Sequence, residues 1–204
     1  MSTGKKLGFA VMIFLGGLLL IGVSAVSTYN SLIRLDQGVQ AQWAQVENAN
    51  QRRQDLVPNL VETVKGAANF EKSTYLAVTE ARAKVGQAAP ATGSNPSNDA
   101  AQLAKYQEAQ DGLTSAISKL MVVVENYPDL KATANFRDLQ AQLEGTENRI
   151  AVERMRFNEA AQNFNSKRDS FPTSLIASLS GSRFKDKVYI KAQAQASTPP
   201  TVKF

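Results

Sequence analysis

The stretch QRRQDLVPNLVETVKG, residues 51–66, decides the fold class of this 204-residue chain. Pro58 lies in its middle, although an interior helix proline removes one backbone hydrogen bond and costs roughly 3 kcal/mol when nothing compensates. Two interpretations stay open: Pro58 begins a new helix capped by Asp55, or one helix bends to follow its neighbours. The apolar residues around it recur at steps of three and four, the spacing of one helix face: Leu56, Val57, Leu60, Val61 and Val64.

The same helical periodicity extends in both directions from this stretch. Upstream, the apolar stripe begins at Leu32. Downstream, we expect helices over residues 70–85 and 133–170, and between them a heptad seam from Leu103 to Val124 that only Gln110 interrupts. No segment alternates with the period of two that half-buried strands show. The pattern therefore predicts an all-α protein, a long antiparallel helical bundle.

The composition excludes several classes of catalytic and metal-binding site, because the chain contains neither cysteine nor histidine. Disulfides, thiolate zinc sites, Ser-His-Asp triads and histidine-bearing di-iron sites are excluded. The best support for an enzyme is the cluster of arginine and glutamate around Arg53 and Glu147. Against an enzyme, the sequence contains no phosphate loop and no nucleophile elbow. An all-oxygen metal site remains conceivable from carboxylates, but none belongs to a dedicated loop: Glu62, Glu144, Glu147 and Glu153. We predict a protein that is not an enzyme and that needs no metal or cofactor.

The positive charges lie mainly at the two ends of the chain. The net charge is +5, but residues 27–182 hold 16 basic and 17 acidic residues. A nucleic-acid-binding domain normally shows a basic face on its folded part. We therefore predict no nucleic-acid partner.

Residues 7–26 form an uncharged apolar run of twenty residues. At about 1.5 Å per residue it spans roughly 30 Å, the thickness of the hydrocarbon layer. Lys5 and Lys6 precede it, which places residues 1–6 in the cytoplasm and the bundle on the periplasmic or extracellular side of a bacterial inner membrane. A cleaved signal peptide is the rival interpretation, since Val23-Ser24-Ala25 resembles a cleavage site. The run is longer than a signal-peptide core, which favours a single-pass anchor.

The remaining boundaries follow from composition. We expect the bundle over residues 27–172, with a Gly-, Pro- and Ser-containing flexible linker at 86–99. For residues 173–204 we predict a short amphipathic segment, followed by a disordered basic tail beyond residue 192. Because Gly38 is the only breaker in residues 27–57, we expect the anchor to continue into the first bundle helix as one rod.

Polar residues interrupt the apolar stripes at matching heights. Asn50 and Arg53 continue the first stripe, and Thr146, Glu147 and Glu153 lie where the last helix could meet them. Buried polar groups need partners, and a single polar layer can set helix register. Solvation of the same charges at the surface is the open alternative.

Two long stretches resemble the signatures of the LemA family. The first is YNSLIRLDQGVQAQWAQVENANQRRQDLVPNLVETVKGAANFE, residues 29–71, and the second is ENYPDLKATANFRDLQAQLEGTENRIAVERMRFNEAAQNFNSKRDSFP, residues 125–172. The chain departs from the family pattern at Phe70, where histidine is common, and at Phe157, where tyrosine is usual. The resemblance implies a membrane-anchored helical bundle with no established catalytic residues. The positions that match, and that we take as a structural polar network or an interaction site, are Arg52, Arg53, Asp55, Pro58, Asn59, Glu62, Glu125, Asn126, Tyr127, Pro128, Asp129, Glu144, Thr146, Glu147, Asn148 and Arg149.

Two functions fit these observations. The first is a scaffold that forms homo-oligomers and organises or shapes the membrane. The second is an adaptor that presents a helix face, or the NYPDL loop at residues 126–130, to an envelope protease or another membrane protein.

Overall fold

A computed structural model describes residues 3–66, 71–90 and 95–191. This part of the chain contains helices and no strand, which confirms the predicted all-α class. The helices are α1 Thr3–Lys65, α2 Lys72–Ala88, α3 Ala100–Val124, α4 Pro128–Lys131, α5 Ala134–Asp169 and α6 Thr173–Leu179. A 3-10 turn at Pro96–Asn98 precedes α3, and a second, at Gly181–Phe184, follows α6.

The four long helices run alternately up and down. Trp43 on α1 packs edge-on against Tyr106 of α3, with ring centroids 5.6 Å apart, and against Phe157 of α5, at 5.7 Å. Ten residues further along α1, Arg53 reaches Glu147, ten residues earlier on α5. α1 and α5 are therefore antiparallel, and α2 and α3 form the second antiparallel pair that packs on them. A continuous apolar core joins all four helices.

α1 is a single helix through Pro58, so the prediction of one continuous rod is correct and no new helix begins at the proline. Proline has no N–H, so the carbonyl oxygen of Gln54, four residues earlier, loses its helical donor. Arg82 of α2 replaces that donor: its Nε lies 3.0 Å from the Gln54 oxygen. A neighbouring helix thus compensates the proline and is attached to α1 by the same bond.

The structure corrects the boundaries of the predicted linker at 86–99. Helix α2 continues to Ala88, and Pro96–Asn98 form a 3-10 turn. The Asp99 carboxylate caps α3 by accepting bonds from the amides of Ala101 and Gln102, each at 3.0 Å. Ser97 is completely buried. Composition suggested flexibility, but cap and core contacts order both flanks; residues 91–94 lie outside the described part.

Residues 185–191, which we call the strap, lie in extended conformation along the bundle instead of continuing away from it. The side-chain amide of Asn165 binds both main-chain groups of Lys187, at 2.8 and 2.9 Å. Asn158, two helical turns earlier on α5, binds those of Ile190 in the same way, both at 2.9 Å. The predicted basic tail beyond residue 192 is outside the described residues.

The strap also carries a buried charge into the bundle. Lys187 is almost fully buried, and its ammonium contacts Asp36 at 2.5 Å and the Asn98 side chain at 2.8 Å. It lies 4.8 Å from the centroid of the Phe164 ring. These contacts tie the C-terminal segment to α1, α5 and the turn before α3.

The N-terminal part of α1 stands apart from this core. Its large apolar side chains between Phe9 and Val26 are exposed, from Val11 at 50% to Leu20 at 70%. Within the described residues, α1 is the one helix long and apolar enough to cross a membrane.

Candidate functional site

A polar layer crosses the bundle at Arg53, whose side chain is only 1% exposed. Its Nη1 donates to the Thr114 hydroxyl at 2.6 Å and to the Glu147 carboxylate at 2.7 Å. Its Nη2 donates to the side-chain oxygen of Gln110 and, at 3.4 Å, to the Gln110 main-chain oxygen. One guanidinium on α1 therefore joins α3 and α5, and it fixes their relative height.

Further ionisable groups surround this layer. Arg154 of α5 lies 3.8 Å from the Asp111 carboxylate, and burial lowers the pKa of its guanidinium. Burial likewise raises the pKa of the Tyr106 phenol, whose hydroxyl faces Gln110 and Asn50. Both shifts have the same cause, the cost of charge in a poorly solvated interior.

Only part of the first signature enters the polar layer. Arg52 is exposed and makes one contact, at 3.3 Å, with Gln142. Asp55 is exposed and accepts a bond from Gln51 at 2.7 Å, so it is not a helix cap. Pro58 and Asn59 are exposed as well. A helix turns by about 100° per residue, so neighbours of a buried arginine point to solvent.

The second signature divides in the same way. Glu147 enters the polar layer and stays 39% exposed, whereas Thr146 is buried and its hydroxyl donates to the Gln142 main-chain oxygen at 2.7 Å. Asn148 is exposed, as is Glu144, which accepts a bond from Gln140. Glu153 is buried without reaching Arg53, because two arginines of its own helix bind it: Arg149 at 2.7 Å and Arg156 at 3.2 Å.

Signature residues from both stretches meet at the end of the bundle farthest from the N-terminus. We call this the distal pocket; its volume is ≈ 650 Å³. Glu125, at its edge, is paired with Lys131 at 2.5 Å. The lining includes Glu62 from the end of α1 and four residues around the start of α4: Asn126, Tyr127, Pro128 and Asp129.

A longer open groove of ≈ 1180 Å³ runs between α2 and α3 on the outer surface. Its floor consists of small residues, which include Ala77, Ala81, Ala109, Gly112 and Ala116. Its rims carry exposed charges of both signs: Lys84, Lys105, Lys119, Glu80 and Glu108. We call this feature the α2–α3 groove.

Chemically, the polar layer orients and stabilises rather than reacts. The side chains that Arg53 binds present a hydroxyl, an amide oxygen and a carboxylate. Each of them already accepts a hydrogen bond from the guanidinium. In the described ranges, no three Asp or Glu side chains come together as metal ligands. The four carboxylates considered for a metal are dispersed: Glu62 lies at the distal end, Glu144 is exposed, and Glu147 and Glu153 have separate arginine partners.

Sequence reasoning missed Gln110 and Thr114, which supply half of the layer. The signal was present, because Gln110 interrupts an otherwise apolar heptad seam. A polar residue at a core position of a seam indicates a buried partner. Thr114, four residues later, lies on the same face and donates back to the Gln110 main-chain oxygen at 3.2 Å.

Together these features define a helical-bundle protein with a candidate membrane-spanning helix and a buried polar layer. The chain belongs to the LemA family, whose model matches residues 42–204. It is similar to the magnetosome protein MamQ 2 of Paramagnetospirillum magneticum, 26% identical over 187 residues that cover 84% of this chain and 67% of the relative. The magnetosome protein MamQ of Magnetospirillum gryphiswaldense matches with the same identity and coverage. Protein LemA of Metamycoplasma hominis is 25% identical over 175 residues, 86% of this chain and 75% of the relative.

Proposed function

We propose that this chain is a membrane-anchored, non-catalytic scaffold whose bundles associate with one another and organise the membrane. The observation that carries the proposal is the continuity of α1, Thr3–Lys65, from the apolar span to the distal end of the bundle. A helix without a joint transmits the orientation of the bundle to the membrane. The polar layer around Arg53 adds to this stiffness by holding the other helices in register.

The α2–α3 groove is the surface that we assign to self-association. A floor of alanine and glycine lets another backbone approach closely, and rims of both charge signs are self-complementary. In a twofold pair, the lysines of one copy face the glutamates of the other, as an isologous interface requires. Gly112 lies on the floor, and a Cβ added there would meet no atom within 4 Å.

The relatives lend this proposal independent support. Two of them are named magnetosome proteins, and neither that name nor LemA denotes an enzymatic activity. We transfer from them only the class, a protein of a membrane structure. The orientation, with residues 1–6 in the cytoplasm and the bundle outside the inner membrane, belongs to the same proposal and rests on Lys5 and Lys6.

The test compares two glycine substitutions in the full-length protein, extracted in mild detergent and weighed by native mass spectrometry. Gly112→Glu places a long side chain in the groove, whereas Gly145→Glu places one on the exposed face of α5. Both glycines lie in helices with open space around them, so both changes keep the fold and remove the roughly 0.5–1 kcal/mol that a helix glycine costs. We expect wild type and Gly145→Glu to be oligomers and Gly112→Glu to be a monomer.

Two other outcomes of this test would contradict parts of the proposal. A monomeric wild-type protein contradicts self-association altogether. An oligomer that resists Gly112→Glu but dissociates with Gly145→Glu places the contact on α5 and not in the groove. A separate experiment tests the orientation. If impermeant thiol reagents label Ser2→Cys in intact cells, residues 1–6 lie outside the cytoplasm and the proposed orientation is wrong.

The alternative function is an adaptor, and the distal pocket favours it. Residues of both signatures, separated by more than sixty positions, meet there around Tyr127 and Glu62. Its position at the far end of the rod suits capture of another envelope protein. A photocrosslinking amino acid at Asp129 tests this in cells: crosslinks to an identified membrane protease support the adaptor, and crosslinks solely between copies of this chain argue against it.

A further inference from the structure

Helix α6 turns an apolar face to solvent. Thr173 and Ala177 are buried against the bundle. On the opposite side, Phe171 is 81% exposed, Leu175 58% and Leu179 88%. These three large side chains are spaced four residues apart, so Leu175 and Leu179 form one ridge. A soluble domain rarely leaves such a ridge uncovered without a partner.

The position of this ridge identifies its partner. α6 packs against α1 and α5, and Phe184, in the turn that follows it, lies edge-on against Tyr29 with ring centroids 5.5 Å apart. Tyr29 is three residues beyond Val26, where the exposed apolar run of α1 ends. Three residues rise about 4.5 Å along a helix. The layer of lipid headgroups is about 5–7 Å thick on each side of the hydrocarbon. The turn that follows α6 therefore lies at the height of that layer, and α6, which packs against the same helix α1, adjoins it.

The charges around the ridge have the sign that lipid headgroups attract. Lys167, Arg183 and Lys185 are exposed, and none of them forms an ion pair within the described part of the chain. The nearby acids, Asp169 and Asp186, are both bound by Arg168, at 2.6 and 2.5 Å. The local surface is thus apolar and basic, the composition of helices that lie in the interface of an anionic bilayer.

We infer that the exposed face of α6, with its flanking basic residues, is a second membrane contact that lies in the headgroup layer beside the anchor. We call it the proximal face: Phe171, Leu175, Leu179, Lys167, Arg183 and Lys185. Two contacts on one membrane restrict the tilt of the rod, whereas a single spanning helix leaves it free. The inference requires that α1 crosses the membrane, as in the proposed function, but it is independent of self-association.

The absence of cysteine from the chain permits a clean test with single spin labels. Leu179→Cys reports on the proximal face, and Leu19→Cys reports on the anchor. Val122→Cys is the control, since Val122 is also a solvent-facing apolar residue, 69% exposed, and lies near the distal end of α3. The full-length protein is placed in lipid nanodiscs at one copy per disc. Collisions with oxygen, which enters lipid, and with a water-soluble nickel complex are then measured by power saturation.

In discs of phosphatidylcholine and phosphatidylglycerol, we expect labels at residues 19 and 179 to be protected from nickel and the label at 122 to be accessible. Protection at 179 should decrease in pure phosphatidylcholine, because the basic residues then lose their anionic partners. It should decrease also when Leu175→Glu is added, since a carboxylate does not enter the interface.

Four results would overturn the inference. Nickel access at 179 equal to that at 122, with residue 19 protected, leaves the anchor intact and removes the second contact. Access at residue 19 itself refutes the spanning helix and the inference with it. Protection at 179 that appears only in discs with two copies assigns the face to a second copy. Equal protection in both lipids removes the basic residues from the contact.

Discussion

Replacement of Arg53 by methionine should destabilise the bundle far more than the same replacement one residue earlier. Arg53 is 1% exposed and binds three other side chains, whereas Arg52 is exposed and makes a single 3.3 Å contact. Methionine keeps the apolar bulk of the arginine stem and removes only the guanidinium. Arg53→Met therefore isolates the polar layer, and Arg52→Met is its matched control.

The magnitude follows from the groups left behind. The side-chain oxygen of fully buried Gln110 loses its donor, and an unsatisfied buried acceptor costs about 1–3 kcal/mol. Glu147 is 39% exposed and turns to water, so its lost ion pair costs only about 0.5–1 kcal/mol. Thr114 still donates to the Gln110 main chain. We expect a total loss of about 1.5–4 kcal/mol, against less than about 0.5 kcal/mol for Arg52→Met.

The assay is unfolding of the full-length protein in mild detergent. Trp43 is the only tryptophan, and it packs between α3 and α5 close to the layer, so its fluorescence reports on the bundle. For a chain of this size, about 2–4 °C of melting temperature corresponds to 1 kcal/mol, which predicts a decrease of about 3–16 °C. Equal melting of both variants and wild type would refute the structural role of the layer.

Three further predictions concern contacts that the structure revealed. Arg82→Ala should lower the free energy of unfolding by about 1 kcal/mol in wild type and by clearly less in the Pro58→Ala background, because the main-chain amide that the alanine restores then donates to the Gln54 carbonyl. A double-mutant cycle of unfolding free energies measures the difference. Stability should fall as pH rises above about 10, since burial raises the folded-state pKa of Tyr106 and the unfolded chain loses that proton first; Tyr106→Phe should flatten the profile obtained by denaturant titration. Asn165→Ala should release the strap, and trypsin should cleave there roughly ten- to thirtyfold faster, because two main-chain bonds are lost.

Each of these has a contradicting outcome or a control in the same chain. Equal cost of Arg82→Ala in both backgrounds would contradict the account of Pro58. An alkaline profile that stays unchanged in Tyr106→Phe would contradict the account of this phenol. Asn163→Ala, at an exposed neighbour on α5, should leave trypsin cleavage of the strap at its wild-type rate.

Sequence by itself determined the helices, the candidate membrane-spanning run and the family. The apolar seam at Leu103–Val124, the break at Pro128 and the uncharged run at residues 7–26 are local patterns, and helix formation depends on spacing within one or two turns. The same logic correctly placed Arg53 among inward-facing positions, because it continues the stripe of α1. Only the boundaries of the linker were wrong, because composition does not show that Ser97 is buried and that the Val188 amide of the strap binds its main-chain oxygen at 2.7 Å.

Tertiary structure alone decided which polar residues have partners. The stripes placed Arg53 and Glu147, 94 positions apart, at matching heights, but only the packing of α5 decided that Glu147, and not Thr146 or Glu153, binds Arg53. Arg82 binds a carbonyl 28 positions away, and no local pattern predicts that bond. Two asparagines of α5 hold the strap by binding its main-chain atoms. Every sequence has these main-chain atoms, so the residues of the strap do not reveal the contact. Periodicity indicates which side of a helix is buried. The helices that pack against that side determine whether a charge is paired, an interior proline is tolerated, or an apolar ridge such as Leu175 and Leu179 stays exposed.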